Sequence, residues 1–225
     1  MKATIAKGAV GVLGASGLGV GGYYGISALN GSTEVQKTIK PTPLSVSQQL
    51  KAKGYVPITS STDNSIFEAI LRNYKSAPST QQELKFAGFD GNQSENKEAK
   101  NILLEKCNGI FDNKSANEQD QKRAKKWCVE PINAASFLKS KGTNSLNLDV
   151  NTETDKTAWG NKVKKYRSTS ENRIDELEFT SKTEEPTDQE IRQIKEKCKS
   201  IGDIGNHDDK FEKTLILFEA WCSNK

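Results

Sequence analysis

Residues 102–128, ILLEKCNGIFDNKSANEQDQKRAKKWC, carry the pattern that decides the fold, because the chain returns to it between residues 191 and 222. Glu105-Lys106-Cys107 comes back as Glu196-Lys197-Cys198, and Trp127-Cys128 comes back as Trp221-Cys222. Further upstream, Leu50-Lys51-Ala52-Lys53-Gly54 recurs as Leu138-Lys139-Ser140-Lys141-Gly142. Phe67, Leu71 and Tyr74-Lys75 recur at the same internal spacing as Trp159, Val163 and Tyr166-Arg167. The four offsets are 91, 94, 88 and 92 residues, and the order never changes. A period this long exceeds that of solenoid repeats, so each copy is expected to be a small domain-sized unit. The sequence therefore predicts copy one over residues 44–130 and copy two over 131–225.

The apolar spacing within each copy is helical. Ile66, Phe67, Ile70, Leu71 and Tyr74 form one face, matched more weakly by Trp159, Lys162, Val163 and Tyr166. Ala99, Ile102, Leu103, Cys107 and Ile110 form a second, matched by Ile191, Ile194, Cys198 and Ile201. The last helix of copy two offers Phe211, Leu215, Phe218 and Cys222; its counterpart in copy one offers only Ala124, Trp127 and Cys128. Capping boxes are expected at Ser115 with Glu118 and at Thr187 with Glu190. Alternation at Leu146, Leu148 and Val150, and at Leu177 and Phe179, predicts short strands. The expected class is mainly α with minor β. Phe67, Tyr74, Trp127, Trp159, Tyr166 and Trp221 are the expected core anchors of the repeat.

All four cysteines, Cys107, Cys128, Cys198 and Cys222, fall on these apolar faces. Buried free thiols would satisfy that placement. One disulfide per copy, Cys107–Cys128 and Cys198–Cys222, would satisfy it too, and cross-copy pairs such as Cys107–Cys198 remain open. A simple antiparallel helix hairpin would leave Cys128 about 20 Å from Cys107, too far for a bridge. A nucleophilic or redox cysteine is disfavoured, because apolar surroundings suppress the thiolate.

Residues 8–29, GAVGVLGASGLGVGGYYGISAL, contain no charge and follow Lys2 and Lys7. Twenty-two such residues can cross a bilayer as one helix. The preceding lysines favour an inside N-terminus and hence an external location for the rest. Residues 1–30 are thus expected to be a membrane anchor or signal segment, with an uncleaved single-pass anchor preferred. The small-xxx-small pairs Gly17–Gly21 and Gly21–Gly25 allow helix-mediated self-association. Gly17, Gly19 and Gly22 also fit G-x-G-x-x-G, but that motif needs a preceding strand and a helix opening at its third glycine, whereas here a translation start lies just upstream and a proline-bearing linker follows. Residues 31–43, with two prolines among small and polar residues, read as a linker.

The remaining chemistry is sparse. Thirty-three basic and 29 acidic residues give a net charge of +4, too balanced to imply a nucleic-acid partner. With glycine counted, the apolar share is about 40%, against roughly 45–50% for an average domain, so a thin core is expected. One histidine and no Cys-x-x-Cys pair argue against a metal site. His207 is expected in a solvated turn, with Asn206 capping the last helix. The basic runs Lys122–Trp127 and Lys162–Arg167 read as solvated faces, and no cofactor is called for.

A basic, glycine-rich N-terminal anchor, a short linker, and EKC and terminal WC signatures together resemble the paralogous families of uncharacterised proteins of haemotropic mycoplasmas. That resemblance implies a surface-exposed protein concerned with host contact or antigenic variation, and it brings no catalytic residues. The expected function is a membrane-anchored interaction or antigenic protein with a host-surface or protein partner. An enzyme with a hydrolase-like site between the two units, or an intracellular membrane-tethered scaffold, are the alternatives.

Overall fold

The computed structural model describes residues 43–94, 97–181 and 183–225. The expected anchor 1–30 and nearly all of the linker 31–43 lie outside them. The described chain is mainly helical: α1 (Val46–Ala52), α2 (Asn64–Ser76), α3 (Ala99–Phe111), α4 (Glu118–Trp127), α5 (Ala134–Ser140), α6 (Lys156–Ser168), α7 (Asp188–Gly202) and α8 (Phe211–Cys222). A 3-10 segment, Ser79–Leu84, follows α2.

Local chemistry starts most of these helices. Asp63 accepts from the Ser65 amide at 2.8 Å and caps α2. Thr187 and Glu190 form the expected capping box at α7. The box expected at Ser115 and Glu118 is absent. Asn117 caps α4 instead, accepting from the Asp120 amide at 2.8 Å, while the Ser115 amide is spent on Asn113. Glu118 and Asp120 in the first turn of α4, and Lys125 and Lys126 in the last, complement its dipole.

The expected minor strands do not form: among the described residues there are only isolated bridges. Around Asp149 the side chains compete for the backbone. Asn147 accepts from the Asp149 amide at 2.8 Å, and Asp149 accepts from the Asn151 amide at 2.9 Å. Those turns leave no extended edge to pair. Leu177 ends a turn from Ile174 rather than a strand.

The core has two clusters. One gathers α1 to α4 around Leu103, Tyr74 and Trp127; the other gathers α6 to α8 around Val163, Ile194 and Trp221. They meet at α5, where Phe137 packs in the first cluster and its neighbour Leu138 in the second. Phe211 at the start of α8 also belongs to the first cluster, stacked edge-on against Phe137 at 5.8 Å. Both α5 and α8 therefore contribute side chains to each cluster.

Two disulfides close the helix pairs. Cys107 on α3 joins Cys128 with a Cα separation of 5.4 Å, and Cys198 on α7 joins Cys222 at 5.5 Å. The short Cα distance rules out the in-line hairpin whose geometry argued against a bridge. The six-residue connection 112–117 instead lets the chain turn so that the C-terminal end of α4 meets Cys107. Immediately after each second cysteine the chain pairs back onto an earlier segment. Ile58 donates to the Cys128 carbonyl at 3.0 Å, and Leu146 donates to the Cys222 carbonyl at 2.9 Å.

Candidate functional site

The aromatic residues singled out from the sequence are buried posts that hold loops. The Tyr74 hydroxyl accepts the Phe86 amide at 2.6 Å and donates to the Phe89 carbonyl at 3.2 Å. The Tyr166 hydroxyl accepts the Ile174 amide at 2.9 Å and donates to the Leu177 carbonyl at 3.1 Å. Edge-on beside each ring stands a tryptophan: Trp127 at 4.9 Å and Trp221 at 4.8 Å. The Trp127 indole donates to Leu84 O and the Trp221 indole to Asn172 O, the residues just ahead of the same loops. Trp159 donates to Asn147 O, and Phe67 packs in the first cluster. Burial pushes both tyrosine hydroxyls above the usual tyrosine range.

Several charged side chains gather where α4 meets the chain entering α8. A crevice of about 340 Å³ opens there between Tyr55, Glu83, Lys122, Lys125, Lys126 and the segment Asn206–Glu212. Two of its cations reach across to acids on the far side. Lys125 bonds Glu212 at 2.9 Å, and the buried Lys126 pairs with Asp209. Asn206 does not cap α8 as expected, since Lys210 occupies that position without a side-chain bond. The Asn206 side chain instead accepts from the Ile132 amide and donates to the Lys125 carbonyl, both at 2.9 Å. Burial and the nearby charge of Glu212 raise Tyr55 far above the ordinary tyrosine range.

His207 is half-buried at this junction rather than fully solvated. Its Nδ1 lies 3.2 Å from the Asn73 amide nitrogen of α2. Burial lowers its pKa, Lys126 lowers it further, and Asp208 opposes both. The Asn73 side-chain amide can donate to Nδ1 when the imidazole is neutral and that nitrogen is unprotonated.

The basic runs are tied into the protein. In the first, Lys122 pairs with Glu118, and Arg123 with Asp120 and the Glu83 carbonyl. In the second, Lys162 bonds the Ala220 carbonyl at 2.8 Å, Lys164 pairs with Glu185, and Arg167 grips the buried Glu190. One cation that the sequence reading passed over is Lys195, which is only 2% exposed. It donates to the carbonyls of Asp149 at 3.0 Å and Thr152 at 2.9 Å, bracing the turns that replaced the expected strand. Its position in the stripe Ile191, Ile194, Lys195, Cys198 was the available signal: a lysine where the helical period requires an inward side chain.

Among the described residues, no group of three or more His, Cys, Asp or Glu side chains could hold a metal ion. Among the same residues no helix is long and apolar enough to cross a membrane. No protein-family model, curated protein or solved structure matches the chain.

Proposed function

We propose that the chain is a membrane-anchored, surface-exposed interaction or antigenic protein that presents two tandem copies of one stapled helical unit and performs no catalysis. The observation that carries this reading is the pairing of all four cysteines at short range, each bridge standing beside an equivalent tyrosine and tryptophan. Such equivalence is what a duplication leaves when each ancestral unit had to stabilise itself. Disulfides persist in oxidising surroundings, which agrees with an external location. The uncharged residues 8–29 behind two lysines would supply the single-pass anchor, and 31–43 the tether. Resemblance to the haemotropic mycoplasma families adds the role of display to a host molecule or antibody.

The test is protease accessibility on intact cells bearing the full-length protein. Digestion of residues 31–225 without lysis is the expected result. Complete protection, joined to four alkylatable thiols in a non-reducing peptide map, would replace this reading with the intracellular scaffold.

An enzyme acting at the junction is the second reading. Its support is the crevice of about 340 Å³ with Tyr55, Glu83 and Lys122 around it. Turnover of an ester or peptide substrate that disappears in Tyr55→Phe would favour it over display.

A further inference from the structure

The geometry points to a binding site for a small oxyanion at Lys195, in a cavity of about 130 Å³ between the 150–156 segment and the start of α7. This inference is independent of the display reading. The cavity is lined by Lys156, Arg192 and Lys195, against the two carboxylates Glu153 and Asp188. Both carboxylates are already bonded to Lys156, at 2.7 and 3.0 Å. Arg192 is exposed at the rim.

Lys195 is the unusual member. It is 2% exposed, yet among the described residues its only partners are two backbone carbonyls. An ammonium carries three N–H donors, so one is left over, and among the described residues no carboxylate pairs with it, the cavity's Glu153 and Asp188 both going to Lys156. Burying a cation without a counter-charge is strongly unfavourable, whereas burying one beside an anion is much less so. The space suits such a guest. At about 30 Å³ per water, the cavity holds roughly four waters or one oxyanion of comparable bulk. A phosphate or carboxylate seated there takes the spare N–H of Lys195 from within and the Arg192 guanidinium from the rim, a planar donor set matched to oxyanions.

The two candidate oxyanions are separated by titrating the full-length protein with inorganic phosphate and, separately, with acetate at constant ionic strength, followed by calorimetry. Saturable binding of one equivalent of either ion is expected, and the probe that binds identifies the class. Arg192→Gln is expected to weaken that binding at least tenfold while leaving the fold intact, because Arg192 is exposed. Lys195→Met, if it folds, is expected to abolish it. Absence of saturable binding by both ions overturns the proposal, and so does binding that Arg192→Gln leaves unchanged.

Discussion

The hydroxyl of Tyr74 lies 2.6 Å from the amide nitrogen of Phe86, twelve residues downstream, and both groups are buried. That one bond ties the exit of α2 to the loop that Trp127 holds from the other side. Tyr74→Phe leaves the amide without a partner at a site water cannot reach. A loss of about 1–3 kcal/mol is expected in urea unfolding. Tyr166→Phe strands the Ile174 amide in the same way and should lose a similar amount.

The disulfides close loops of 21 and 24 residues. Replacing either pair with alanine should lower stability by roughly 3 kcal/mol through the freed unfolded chain. Thermal melts with and without reductant check this. A melting temperature indifferent to reductant would mean that packing alone sustains both helix pairs.

Arg167 and Glu190 are mostly buried and joined by two contacts of 2.6 Å, with Thr187 bonding the same carboxylate. Burial works against the charged carboxylate, but the bonds from Arg167 and Thr187 outweigh it and hold the pKa of Glu190 below the usual glutamate range. Its stabilising effect is therefore present above the unfolded value near 4.3 and fades as pH falls through the lower folded value. Arg167→Met leaves the carboxylate buried alone and should cost about 3 kcal/mol at neutral pH. The loss should shrink on acidification, as read from denaturation midpoints.

His207 gives a pH dependence in a higher window. Its folded pKa is depressed, so the unfolded chain binds the proton more readily. Stability is complete above the unfolded value near 6.5 and declines as pH drops below it. The melting temperature should fall between about pH 7.5 and pH 5.5, and His207→Gln should flatten that slope. An unchanged slope would place the titration elsewhere.

Phe137 and Phe211 lie within residues 131–225 but pack with Tyr55 and the first cluster. A fragment of residues 131–225 exposes both rings. It should bind a hydrophobic dye and melt over a broader range than the full chain. A sharp melt at the parental temperature would mean that the two units are energetically separate.

Much of this fold was legible in the sequence. The faces holding Leu103, Cys107, Ile194 and Cys198 follow the helical period, and burial of such a stripe needs no knowledge of the partner helix. The rest was harder for specific reasons. Leu146 and Leu148 alternate like a strand, but Asn147 and Asp149 turn their side chains onto the backbone, and a period of two cannot register that. Asn206 looked like a helix cap, yet it bonds residues 74 and 81 positions away in sequence.

Spacing over a few turns is enough to set the helices, their inward faces, the expected core anchors and the equivalent positions of the four cysteines. It takes the folded chain to show that the cysteines pair at short range, that Phe137 and Phe211 cross to the first cluster, and that Lys126, Asn206 and Lys195 are buried. Those outcomes depend on which surfaces meet after the chain has folded back over many residues. Local periodicity carries no record of that meeting: a lysine drawn inward to a carbonyl and one left in water have the same neighbours in sequence.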